Sequence, residues 1–280
     1  MTMILRLAAF GLAALAVAPA DAAGPTTRPA FSGHRAVYEM RLAEARSTPE
    51  IGAASGRLVY EFSGSRCEGW ATRLRNVTRI DPIEGPSRLT DMRSTSFEDG
   101  AGRSFDFVNE TWIDGRKVEE SKGRAERAAA AIHVRLERPA AAEADVAARA
   151  FFPTYHMEEI VAAALDGERL KEIDLYDGSE TGTKTYRTSV VIGNEATGPD
   201  DVSDEPAAVS DLLTGHRRWP VQISFFDLTK KGEGEATPDY QLSFLLYDNG
   251  VSRRMIFDYG SFVLRGELTR LEPLSSAPCR

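Results

Sequence analysis

The chain has 280 residues and a formal net charge of −8, with 34 Lys and Arg against 42 Asp and Glu. Its charges are interspersed, with no lysine-rich block and no basic stripe carrying aromatics, so nucleic acid would be repelled and a nucleic-acid-binding role is excluded. Its only cysteines, Cys67 and Cys279, lie 212 positions apart, which excludes a Cys-x-x-Cys redox pair.

The first residues, MTMILRLAAFGLAALAVAPADAAG, place Arg6 before an apolar run from Leu7 to Ala18 and then small residues. This is the order of a secretory signal peptide, expected over residues 1–22 with cleavage after Ala20 or Ala22. The run falls short of the roughly 20 residues that span a bilayer. No later segment is apolar enough, so the expected product is a single exported domain over 23–280 that does not span a membrane. Ala- and Arg-rich usage points to a GC-rich bacterium and so to the periplasm. In an oxidising compartment two cysteines pair more often than they stay free; the other reading is two buried thiols. A bridge over so long a loop would contribute at most about 5 kcal/mol in the chain-entropy picture.

Period-two alternation runs from residue 34 to residue 271, the mark of strands with one buried face. HRAVYEMRLAEA puts Ala36, Tyr38, Met40 and Leu42 on one side, and GRLVYEFSG does the same with Leu58, Tyr60 and Phe62. CEGWATRLRNVTRI sets Trp70, Thr72 and Leu74 against Arg73, Arg75 and Arg79. RSTSFEDG and SFDFVNETWIDG are short strands, and AIHVRLERP alternates Ile132, Val134 and Leu136 with His133, Arg135 and Glu137. The Ala-rich PAAAEADVAARAFF reads as further helix or linker. A helix is predicted at residues 154–166 from Met157, Ile160, Val161 and Ala164, capped by Thr154 and ended by Gly167. KEIDLYDG, TKTYRTSVVIG and WPVQISFFD are strands, with a polar, turn-rich surface loop before the last of them. YQLSFLLYDNGVSRRMIFDYG reads as a hairpin on Asn249-Gly250, a pair suited to a type I′ turn. SFVLRGELTRLEPL adds another strand. The total is roughly 12 to 15 strands in a mostly β, antiparallel chain that curls into a barrel or open spiral, with one helix at its mouth or concave side.

Motifs for chemistry are few. His34, His133, His156 and His216 are not at metal-ligand spacing and read as surface or capping residues. There is no nucleophile elbow, no P-loop and no dinucleotide fingerprint. The acid-glycine pairs in EDG, IDG, YDG and YDNG read as turns. No catalytic residue, cofactor or metal is therefore assigned.

Taken in order, HRAVYEMRL, GRLVYEFSGSRCEGW with TRLRNVTRI, STSFEDGAGRSFDF, FPTYHMEEIVAAALDGE, YDGSETGTKTY and LSFLLYDNGVSRRMIFDYGSFVLRGELTRLEPL resemble the cell-envelope-integrity EipB family (DUF1849) of alphaproteobacteria. That resemblance implies about 14 antiparallel strands in a β-spiral, an overlapping open barrel, with one main helix. It implies a long-range disulfide at the positions of Cys67 and Cys279, and a role in envelope integrity under stress. The expected function is non-enzymatic support of the envelope, through an unidentified periplasmic or envelope protein. The alternative is a lipid or lipoprotein carrier that uses the concave side, with Tyr38, Leu58, Phe62, Phe244 and Leu246 as lining or as core.

Overall fold

The computed structural model describes residues 29–46, 51–201, 203, 205–230 and 237–275. In chain order the strands are β1 (His34–Ala45), β2 (Ile51–Ser65), β3 (Gly69–Pro82), β4 (Arg88–Glu98), β5 (Ser104–Ile113), β6 (Arg116–Arg127), β7 (Ala131–Arg138) and β8 (Ala142–Ala147). After helix α1 (Pro153–Leu165) come β9 (Leu170–Leu175), β10 (Tyr186–Ile192), β11 (Arg218–Asp227), β12 (Tyr240–Tyr247), β13 (Ser252–Asp258) and β14 (Phe262–Pro273). They form one 14-stranded antiparallel sheet in the order β8-β7-β6-β5-β4-β3-β2-β1-β14-β13-β12-β11-β10-β9. The first and last strands meet at the centre of the sheet, and the middle of the chain supplies both edges.

Alternation sets the register. Tyr38 faces Leu58, and Ala36 faces Tyr60, so one side of each pair is apolar. Met40 lies opposite Gly56 on one neighbour and Gly266 on the other. A side chain at Gly266 would collide with the Met40 sulfur, so the small residue makes room for the large one. The sheet curls until its ends overlap. Phe105, Phe107, Ile132 and Val134 of the β5–β7 wall pack on Phe152 and Tyr176, which flank α1 and β9. Gly178 seals the overlap: its carbonyl accepts hydrogen bonds from Ser121 Oγ (2.5 Å) and Asn109 Nδ2 (3.0 Å). Its φ of 66° and the Phe107 ring against its Cα admit no other residue without strain.

Two plugs fill the curl. Helix α1 packs Ile160, Val161 and Ala164 on Val190, Trp219, Ile223 and Leu246. Burying each large aliphatic side chain there is worth about 1.5–3 kcal/mol. Gly167 ends the helix at φ 79°, with Glu168 N–H donating to Ala163 O at 2.9 Å. The second plug is the segment between β10 and β11, expected as a surface loop. Ala208 and Leu213 instead join Tyr38, Leu58, Tyr247 and Leu268 in the core, because this polar stretch carries its own apolar residues.

Three other expectations change. The Ala-rich stretch holds strand β8, since pairing with β7 satisfies its backbone where weak local preference gave no signal. The turn between β12 and β13 is not type I′: Gly250 has φ 85°, but Asn249 is not at positive φ. Gly250 N–H donates to Tyr247 O (3.0 Å) and Tyr247 N–H to Val251 O (2.9 Å), a three-residue loop with a glycine bulge. Asn249 turns its amide onto Leu212 O (2.6 Å) and so ties the second plug to the hairpin. The helix starts at Pro153, with Thr154 inside it rather than capping it.

Candidate functional site

The turn between β2 and β3 holds Arg66, Cys67 and Glu68. Cys279 lies outside the described residues, as does the leader expected over residues 1–22. Just past β14, Leu274 N–H donates to Gly33 O at 2.9 Å, and His34 of β1 pairs with both Pro273 and Phe62. The C-terminal end of β14 is thus two strands away from the end of β2 that carries Cys67.

Beside this turn the helix start is bolted to the sheet. Glu98 closes β4 and is buried, and its Oε1 accepts the Thr154 N–H at 2.5 Å. Because Phe152 at the cap offers no side-chain acceptor, a carboxylate from a distant strand takes that role. Burial pushes the Glu98 carboxyl up to about 7, against the opposing pull of the Thr154 and Tyr155 amides. Arg66 reaches the buried Glu158 at 2.8 Å, and Tyr155 Oη donates to Gly100 O at 2.8 Å. His156 is buried too, with Nε2 at 2.8 Å from Thr188 Oγ1, and burial lowers its pKa to about 4. The expectation of a surface or capping histidine fails there and at His34, which is buried with Nδ1 2.8 Å from Ser32 O. His133 does point outward, 2.7 Å from Asp145. His216 meets Asp248 at 2.5 Å, and no two histidines share a site.

A second buried polar cluster fastens the other plug. Arg253 of β13 is fully buried; its Nη1 donates to Glu205 Oε2 (2.6 Å), its Nε to Tyr247 Oη (3.0 Å), and its Nη2 to Asp200. The β13–β14 ladder covers only Met255 to Asp258, and Glu205 Oε1 takes over beyond it, accepting from Arg254 N (3.1 Å) and Leu268 N (2.8 Å). These groups hold backbone and loop together, which is structural work. Among the described residues no three His, Cys, Asp or Glu side chains are placed to hold a metal. The turn reading of the acid-glycine pairs holds at Asp177, whose Oδ1 accepts Ser179 N–H at 2.9 Å. Tyr38, Leu58, Phe62, Phe244 and Leu246, considered as carrier lining, are all buried core.

The open surface is on the opposite face. Register places Arg35, Glu61, Arg73 and Thr95 in one row across β1–β4, then Val37, Val59, Arg75 and Arg93. The next rows are Glu39, Arg57, Val77 and Asp91, then Arg41, Ser55, Arg79 and Leu89. This grid holds seven arginines and three carboxylates. Val59, Val77 and Leu89 lie within a shallow groove of about 480 Å³, edged by Arg57, Arg75, Arg79 and Glu39. Asp91 holds Arg75 (2.9 Å) and Arg93 (2.6 Å), and Glu39 holds Arg57 (2.6 Å). Among the described residues Arg41 and Arg73 have no carboxylate partner. Sequence reading missed the patch because its arginines come from four strands; the only signal was the Arg73, Arg75, Arg79 alternation.

The EipB-like family model matches residues 25–275. The chain belongs to the EipB-like family. It is 38% identical over 239 residues to the cell envelope integrity protein EipB of Brucella abortus (strain 2308), covering 85% of this chain and 83% of that protein. Its fold is similar to the crystal structure of a β-barrel-like protein of the domain of unknown function DUF1849, also from Brucella abortus. That match has a TM-score of 0.80 at 38% identity and covers 88% of this chain and all of the other. The long curled sheet seen here agrees with a barrel-like neighbour.

Proposed function

We propose that the chain supports the integrity of the cell envelope from the periplasm, by binding and not by catalysis. The observation that carries this reading is the 38% identity, over most of both chains, to a protein named for cell envelope integrity. A binding role is supported by the use of the buried titratable groups. Glu98, Glu158, Glu205 and Arg253 are engaged in holding α1 and the loop before β11 in place. Export follows from the order of Arg6, apolar run and small residues at the N-terminus, and no helix among the described residues is long and apolar enough to cross a membrane.

The Cys67–Cys279 disulfide belongs to the same reading. Residue 279 is five residues past Leu274, a reach of up to ~17 Å, and two strand spacings amount to ~10 Å. Such a bridge would fix the tail beside the turn that contacts α1 through Arg66. Cys67→Ser is expected to lower stability by about 2–3 kcal/mol, and Cys67→Ser/Cys279→Ser by the same amount, since each breaks one bond. Two alkylatable thiols in unreduced protein from the periplasm would refute the bridge. The functional reading is tested by deleting the gene: cells are expected to become sensitive to detergent and to be rescued by the wild-type chain. Undiminished resistance would refute it.

A further inference from the structure

We propose that the outer face of β1–β4 docks on an anionic lipid surface through its arginines; this deepens the envelope reading and rests on it for its setting. The chain as a whole is acidic, at −8, yet the outer face of β1–β4 sets seven arginines against Glu39, Glu61, Asp91 and the Asp81 that pairs with Arg79, a surplus of three positive charges. Clustering of one sign against the overall sign is a directional feature of the field, and it faces away from the core. Arg41, Arg57, Arg73, Arg75, Arg79 and Arg93 are all exposed. Guanidinium groups bind phosphate oxygens through paired N–H donors and tolerate partial dehydration better than ammonium groups do.

The apolar side chains on this side point the same way. Leu89 lies in the grid, Phe97 continues the outer face of β4, and Ile83 stands on the turn between β3 and β4; all three are exposed. Cations interspersed with single apolar side chains suit a headgroup layer, where charge stays hydrated and apolar groups enter the glycerol region. A protein partner would have to meet these rows with a matching set of carboxylates, whereas a headgroup layer offers anionic oxygens wherever the guanidiniums stand. The concave side does not enter into this: it is filled by α1 and the loop before β11.

The test is sedimentation of the purified full chain with vesicles of phosphatidylglycerol and phosphatidylcholine in equal parts, and with phosphatidylcholine alone. The wild-type chain should pellet with the anionic vesicles only, and high salt should release it. Arg41→Gln/Arg57→Gln/Arg73→Gln/Arg79→Gln should weaken binding by about tenfold or more. A control, Lys122→Gln/Arg124→Gln/Arg135→Gln/Arg138→Gln, removes the same charge from β6–β7 and should bind like wild type. No anionic-vesicle binding by the wild type, equal binding to neutral vesicles, or equal loss in both variants would overturn the inference. Absence of vesicle binding, combined with failure of the outer-face variant to protect cells, would assign the face to an acidic protein and leave the envelope reading standing. Detergent resistance unchanged by gene deletion would remove that reading whatever the vesicles show.

Discussion

The four strands β1–β4 present two faces built from alternating residues of the same segments, and the two differ in what a substitution can do. Inward, Ala36, Tyr38, Met40, Leu58, Phe62 and Trp70 are buried, and the buried Glu98 meets the Thr154 amide of the helix. Outward, guanidiniums stand in rows with partial pairing, and Arg41 and Arg73 lie outside any ion pair among the described residues. Inner positions are held by neighbours on all sides and change stability when altered. Outer positions answer mainly to solvent, so their composition is free to serve a partner.

The sharpest break in that contrast is at Arg253. Arg253→Met leaves the buried Glu205 and the half-buried Asp200 without their cation, and should cost about 4 kcal/mol in urea unfolding. A loss under 1 kcal/mol would mean that this cluster is solvated. Next comes the helix plug: Ile160→Ala should cost about 3 kcal/mol through lost burial and a residual cavity. Both values apply to the inner side and have no counterpart outside.

Acid titration separates two inner groups of opposite sign. Glu98 is raised by burial to about 7, so its protonated form favours the folded state; its stabilisation is full below its ordinary value of 4.5 and is lost as pH rises through 7. His156 is lowered by burial to about 4, so folding favours its neutral form, and stability is lost as pH falls from 6.5 through 4. Where both titrate, the slopes of these two groups oppose and cancel, and His34, also lowered by burial, adds to the histidine side. Glu158 and Arg127 act on Glu98 in opposite senses, with Glu158 reinforcing the upward shift. Glu98→Gln should remove the opposing slope, so that stability rises more steeply with pH, by about 1.4 kcal/mol per unit, between pH 4.5 and 6.5. An unchanged profile would show that Glu98 does not titrate there. The smallest effect belongs to the outer face: Arg41→Gln/Arg57→Gln/Arg73→Gln/Arg79→Gln should change unfolding free energy by about 1 kcal/mol or less.

Much of this architecture could be read from residues that answer to a single face. Tyr38, Met40, Leu58 and Phe62 alternate because one side of their strands is core, and Met157, Ile160, Val161 and Ala164 recur at helical spacing for the same reason. Strand β8 was hidden because alanines carry little strand preference, and only pairing with β7 decides their state. The hairpin at Asn249-Gly250 was placed correctly, but its turn type depends on Leu212, a contact 37 residues away. The Glu98 cap likewise joins residues 56 positions apart. The arginine grid is the extreme case, since no window of sequence contains it and only strand register assembles it.

The proposed division sets binding on the outside of the curl and structure within it. Its most direct test is detergent survival of a strain lacking the gene and carrying the Arg41→Gln/Arg57→Gln/Arg73→Gln/Arg79→Gln chain at wild-type abundance. Loss of protection by this stably folded variant is the predicted result; survival equal to that given by the wild-type chain would contradict the account.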